Sequence, residues 1–184
     1  MARQVLFVQG AGKGAHDCWD DKLVASLVHE LGKGYAVRYP RMPGEDDPGF
    51  AAWKAALTGE FDSLKDGAIL VGHSVGGTML IHMLAEQPPK FRISGLFLIA
   101  APFIGEGGWP SDDLDGRTDF AERLPYGAPV YLFHGTDDAV VPVAHIHLYT
   151  KAIPQAVVRT IEGRDHQFNN DMSEVARDIR AEAP

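Results

Sequence analysis

Residues 70–77, Leu70-Val71-Gly72-His73-Ser74-Val75-Gly76-Gly77, set a serine between glycines two positions before it and two after it, directly behind an apolar run. A strand ending at Val71 and a helix starting behind the serine force a sharp turn there, with the hydroxyl projecting. Gly72 and Gly76 remove the Cβ atoms that would collide across such a turn. The unpaired N–H groups and positive dipole end of the following helix would face any anion forming at the serine. A serine hydroxyl is a weak nucleophile alone, so acyl transfer to it requires a base and a carboxylate. Both residue types follow in the chain. His134-Gly135-Thr136-Asp137-Asp138-Ala139-Val140-Val141-Pro142 sets two adjacent acids behind an apolar run, and Glu162-Gly163-Arg164-Asp165-His166-Gln167-Phe168 sets a histidine behind another. His166 then suits a general base and one of the two aspartates its orienting acid. The plainer alternatives are a glycine-rich strand-to-helix turn, aspartates that cap a helix or a turn, and a solvated loop histidine.

These residues need a scaffold, and the apolar pattern describes one. Strands are expected over 4–9, 35–39, 68–71, 95–100, 130–133 and 157–161, alternating with helices. That order implies an α/β fold, a three-layer α/β/α sandwich around a mostly parallel sheet of about six strands. Trp19, Leu23, Leu27 and Leu31 make one helical stripe, and Phe50, Trp53, Leu57, Phe61 and Leu64 make a second. The helix behind Ser74 is apolar nearly all round, so it should lie centrally. Asp171 and Glu174 stand at capping-box spacing before a last helix whose core face is Met172, Val175, Ala176 and Ile179. Residues 102–129 form a glycine-rich excursion with at most a short helix near 118–124. Phe103, Ile104 and Trp109 there either line a shallow open cleft or pack over the sheet edge.

The motifs Gly-His-Ser-Val-Gly-Gly, His-Gly-x-x-Asp-x-x-Val-Pro and Gly-x-x-His, in that order, resemble the α/β-hydrolase superfamily. The short chain is similar to its small serine-hydrolase branch, which includes retinoblastoma-binding protein 9 and bacterial relatives. Tyr39-Pro40-Arg41-Met42-Pro43 with the downstream Trp53 carries the resemblance to that branch. The first-strand motif reads Gln9-Gly10 where the superfamily often has His-Gly. The resemblance implies a minimal α/β-hydrolase fold with no lid domain, and an esterase-like serine hydrolase acting on a small acyl substrate. It places nucleophile, acid and base on Ser74, Asp138 and His166, and an oxyanion hole on the backbone N–H groups of Ala11 and Val75. His16 and His73 flank this site and, with Phe103 and Trp109, are candidates to line a substrate cleft. No metal or organic cofactor is implied. The pocket-protein motif Leu-x-Cys-x-Glu is lacking, since the one cysteine sits in His16-Asp17-Cys18-Trp19-Asp20.

Two other readings compete. Gly10-Ala11-Gly12-Lys13-Gly14-Ala15 fits the dinucleotide fingerprint G-x-G-x-x-A, yet no acid ends the second strand, where Arg41 could at most tolerate a 2′-phosphate. An NADP-binding Rossmann-type protein would also leave the serine, aspartate and histidine motifs without a use. A catalytically silent binding protein on the same fold is the second alternative. His145 and His147 could share a metal only on a strand, and 142–151 reads as a helix.

The 184 residues, 45% of them hydrophobic, can bury the core of a single domain spanning 1–184. A net charge of −8 lacks the basic footprint that nucleic acid requires. A lone Cys18 forms no internal disulfide. The apolar start before Gly10 is too short for a signal peptide, and no run reaches the roughly 20 residues of a membrane span. A cytoplasmic protein without membrane insertion is the expectation; the pattern is silent on oligomeric state.

Overall fold

The computed structural model describes residues 2–182. Six strands, β1 (Arg3–Val8), β2 (Tyr35–Arg38), β3 (Ala68–His73), β4 (Ile93–Ile99), β5 (Val130–Gly135) and β6 (Val157–Ile161), form one sheet in the order β2-β1-β3-β4-β5-β6. Every neighbouring pair is parallel. The central strands read as continuous apolar runs because helices cover both faces. Val5, Phe7, Ile69, Val71, Phe97, Ile99 and Phe133 point into one apolar layer, and Leu6, Val8, Leu70, Leu96, Leu98 and Leu132 into the other.

Helices α1 (Asp20–Leu31) and α6 (Ser173–Ala181) close the first layer. Helices α2 (Phe50–Phe61), α3 (Val75–Glu86), α4 (Phe120–Arg123) and α5 (Ala144–Ala152) close the second. The expected stripe of α2 is buried throughout, and α3 is buried from Gly76 to Ala85. No helix among the described residues is long and apolar enough to cross a membrane.

Three local expectations need correction. Leu23, Leu27 and Leu31 are core, but Trp19 is 55% exposed. It ends a π-type turn over Ala15–Trp19, whose i→i+5 bonding puts more residues in a turn and so rotates it off the stripe of the α-helix that follows. The capping box does not form: Asp171 accepts from the Ser173 N–H, while the Glu174 carboxylate takes the Arg164 guanidinium at 2.9 and 3.0 Å. An ion pair to a neighbouring loop has displaced the local cap. Of the two places open to Phe103 and Ile104, both take the packed one, 3% and 7% exposed, so the cleft candidate Phe103 is a core residue. Their segment folds back on itself, Trp109 N–H donating to Phe103 O at 2.8 Å and Gly105 N–H to Trp109 O at 3.1 Å. Phe103 packs edge-on against Tyr149, and half-buried Trp109 packs against His145.

Glycines set how closely the elements around Ser74 approach. A Cβ at Gly72 would lie 2.5 Å from Gly77 Cα, so the glycine is needed across the turn as expected. Gly76 answers a different neighbour. Its Cβ would lie 2.0 Å from Gln9 O and 2.6 Å from Val8 O, so the end of β1 passes directly against the first turn of α3. Gly76→Ala must therefore separate β1 from α3, and unfolding in urea should show a loss of about 3 kcal/mol or more. Wild-type stability in that variant would mean the two backbones are farther apart than described.

His82 is 3% exposed in α3, with Phe120 and Phe50 edge-on to its ring. Burial, assisted by the Arg117 charge, lowers its pKa to about 4 from the ordinary 6.5. Between those values the unfolded chain takes up a proton that the folded chain refuses, so stability falls as pH falls. Wild type should lose about 2–3 kcal/mol more than His82→Leu between pH 7 and pH 4.5. Parallel losses in the two proteins would rule out His82 as the source.

Candidate active site

Ser74 stands between β3 and α3 with φ 51° and ψ −130°, a backbone conformation that side-chain-bearing residues rarely hold. Its N–H donates to Ile99 O at 2.8 Å, pinning the turn to the end of β4. Because the sheet is parallel, the loops after β1, β3, β5 and β6 emerge at the same end of the sheet. The last two deliver the other chemistry-bearing residues.

His166 Nε2 lies 3.0 Å from Ser74 Oγ, and His166 Nδ1 lies 2.8 Å from Asp138 Oδ2. An Nδ1–H donated to the carboxylate leaves the Nε2 lone pair facing the serine hydroxyl. Asp138 is held from every side: Oδ1 accepts the Val140 and Val141 N–H groups, each at 2.8 Å, and Oδ2 lies 3.2 Å from His134 Nε2. Burial would raise its pKa, but hydrogen bonds from His134, His166 and Val141 outweigh this and hold it well below the usual carboxylate range. Asp137 points elsewhere and accepts from the Thr136 hydroxyl. The structure thus brings Ser74, His166 and Asp138 into one line and leaves Asp137 out.

The His166 loop is fixed by its surroundings. Phe168 is fully buried and, with Asn169 and Asn170, has a positive φ of 49–56°, making a tight left-handed turn. Asp165 and Asn169 exchange side-chain-to-backbone hydrogen bonds at 2.8 and 2.9 Å. Gly135 allows Arg164 O to approach the end of β5, where a Cβ would be 2.0 Å away.

The glycine-rich loop after β1 lies beside the serine: a Cβ at Gly10 would be 3.2 Å from Ser74 Cβ. Its donors are mostly occupied by the protein's own oxygens. Gly10 N–H donates to Asp20 Oδ2 at 2.7 Å, Gly12 N–H to Glu45 O at 2.6 Å, and Gly14 and His16 N–H to the Glu45 carboxylate at 3.1 and 3.0 Å. Two carboxylates already stand where a pyrophosphate would have to bind, which counts against the dinucleotide reading. The N–H groups of Ala11 and Val75 have no acceptor among the described residues. Gln9, in place of histidine, is fully buried and ties Met42 N–H to the Glu45 carboxylate.

His73 is 1% exposed and does not line a cleft, because Asp20 and the His166 carbonyl take both its ring nitrogens. His16 stacks on Tyr39 at 4.1 Å, its nitrogens facing Asp17 Oδ1 and Tyr39 O. His145, on α5, accepts the Phe103 N–H at 2.9 Å. Sequence reasoning missed His134, Asp20 and Glu45. His134 lies inside the quoted Asp138 motif and could have been found there; Asp20 and Glu45 act on residues far from any shared pattern.

The sequence model of the alpha/beta hydrolase family matches residues 5–128, more than half of the chain. No curated protein matches it. Among solved structures, Est1E from Butyrivibrio proteoclasticus with ferulic acid bound aligns with TM-score 0.70 at 17% identity, over 98% of this chain and 87% of that one. The meta-cleavage product hydrolase from Pseudomonas fluorescens IP01 aligns at 0.73 and 17%, over 98% and 89%. The esterase domain of a Rhodothermus marinus protein aligns at 0.68 and 19%, over 97% and 85%. At these identities the structures share a fold with this chain. With the family model covering most of the sheet and the turn at Ser74, the chain belongs to the alpha/beta hydrolase family.

Proposed function

We propose that the chain is a serine hydrolase acting on small carboxylic esters or related activated acyl compounds. The observation that carries this reading is the line from Ser74 Oγ through His166 to Asp138, 3.0 and 2.8 Å long, with the serine on a strained turn. One neighbour in fold, named as an esterase domain, is in keeping with the ester class. The Trp53 indole donates to Pro43 O at 2.7 Å, so two separate sequence pieces of the small serine-hydrolase branch meet in space, which favours placing the chain in that branch.

Ser74 Oγ attacks the acyl carbon while His166 Nε2 takes its proton, and Asp138 orients and stabilises the resulting imidazolium. The tetrahedral oxyanion is held by the N–H groups of Ala11 and Val75, each worth about 3–4 kcal/mol to the transition state. Collapse expels the leaving group, which receives the proton from His166. Water, deprotonated by His166, then attacks the acyl-enzyme and releases the acid and Ser74. A silent binding protein would have no need of this alignment.

A fluorophosphonate probe should modify Ser74, with mass-mapped labelling abolished in Ser74→Ala; equal labelling of that variant would remove Ser74 from the role. Asp138→Asn should lower kcat by about four orders of magnitude through the wrong imidazole tautomer, whereas Asp137→Asn should stay within a few-fold. The reverse ranking would transfer the acid role to Asp137. Since Phe103 and Ile104 pack inward and leave no apolar wall of their own, each added acyl methylene should soon stop contributing its roughly 0.8 kcal/mol. On p-nitrophenyl esters, kcat/KM should level beyond about four to six acyl carbons; a steady rise to about twelve would reveal a long acyl channel.

A further inference from the structure

Behind the serine lies a second histidine–carboxylate pair that the proposed reaction does not use. His73 and Asp20 are each 1% exposed, on the end of β3 and the start of α1. His73 Nδ1 lies 3.0 Å from both Asp20 oxygens, and His73 Nε2 lies 2.9 Å from the carbonyl oxygen of His166. Both partners are acceptors. A ring with a single N–H would set lone pair against lone pair on one side, in a place screened from water. The remaining option, a proton on Asp20, is opposed by the Gly10 N–H, which donates to Asp20 Oδ2 at 2.7 Å, and by the greater basicity of imidazole.

We infer that His73 is a buried imidazolium and that the His73–Asp20 ion pair is a positioning device, coupling the loop after β1 to the backbone of His166. This rests on the reading of His166 as general base. One end of the pair holds Gly10, the residue before the proposed oxyanion donor Ala11. The other holds the carbonyl of the base itself, with the His73 and His166 ring centroids 4.9 Å apart. A Cβ at Gly10 would lie 3.3 Å from His73 Nδ1, so the loop sits directly on the ring.

The groups around the pair agree. Burial alone would lower the His73 pKa, but Asp20, the His166 carbonyl and the Asp138 charge from the loop after β5 outweigh it and raise it. Burial alone would raise Asp20; His73, the Gly10 N–H and the Gln167 amide outweigh it and lower it. Tyr39, after β2, has its pKa raised first by burial and then by neighbouring carboxylates, Asp20 the largest of them. The histidine contribution is complete below the ordinary 6.5 and disappears only as pH rises through the raised value. The carboxylate contribution is complete above the ordinary 3.8 and disappears as pH falls through the lowered one. Both contributions are complete between the ordinary values of 3.8 and 6.5.

The test uses the full-length protein labelled with ¹⁵N-histidine. At about pH 8, above the ordinary histidine range, both ring nitrogens of His73 should be protonated in wild type and only one in Asp20→Asn. Asp20→Asn and His73→Gln should each lower kcat by about 10- to 100-fold, because base and oxyanion donor lose their common anchor. KM should stay within about twofold of wild type, since ground-state binding is left alone. An unprotonated His73 nitrogen in wild type, a wild-type kcat in His73→Gln, or an effect on KM alone would overturn the inference. Should His73→Gln fail to fold, the near-isosteric Asp20→Asn and the wild-type spectra still decide. Failure of wild type to label with fluorophosphonate would instead sink the hydrolase reading, and the ring-nitrogen spectra would still report on the ion pair.

Discussion

Backbone meets backbone without intervening side chains around Ser74, and the rest of the site is arranged about that contact. Gly72 lies against Gly77 across the turn, and Gly76 lies against the last carbonyls of β1. With any side chain at these positions, α3 would stand off the sheet and the loop after β1 would move away from the serine. The close approach also accounts for the near-complete burial of α3: a helix seated directly on β1 and β3 has little surface left for water. Ser74 holds its strained φ because the Ile99 carbonyl and the two glycine contacts determine the chain path on either side of it.

The loops that converge on this turn are held by carboxylates whose acceptors are filled by N–H groups of the chain. Asp138 takes two backbone N–H groups and the His166 imidazole; Asp20 takes Gly10 and His73; Glu45 takes Gly14, His16 and the Gln9 amide. Removing a carboxylate from water costs several kcal/mol, and charge-assisted hydrogen bonds return roughly 1.5–3 kcal/mol each, so two or three such donors offset most of that cost. An acidic chain thereby places negative charge inside, where it orders loops. The same arrangement explains a glycine-rich loop that looks like a phosphate cradle: Glu45 and Asp20 occupy the donors that a phosphate would need.

Much of this was legible from residue order. The strands were visible as apolar runs, and six fall within a few residues of their expected places, because a sheet buried on both faces tolerates few polar residues. The stripe of α2 and the all-round apolarity of α3 translated directly into burial. Misreadings cluster where a distant group overrides a local preference. Arg164 drew Glu174 away from its cap, and a π-type turn rotated Trp19 to the surface; between the two places open to Phe103 and Ile104, a closed turn at 103–109 chose the core.

Residue order alone set the chemistry on offer and the sequence in which a parallel sheet must present it: a serine behind β3, acids behind β5 and a histidine behind β6. These are properties of residue type and of periodicity, which act over a few residues. It left Asp137 and Asp138 equivalent as turn residues, paired nothing with His73, and made Gly76 look like a partner of the turn. Tertiary structure decided each. The Val140 and Val141 N–H groups aim Asp138 at His166, α1 carries Asp20 under His73 from 53 positions away, and the end of β1 demands the glycine at Gly76. Which acceptor meets which donor depends on where separate elements pack, and no local pattern encodes that distance.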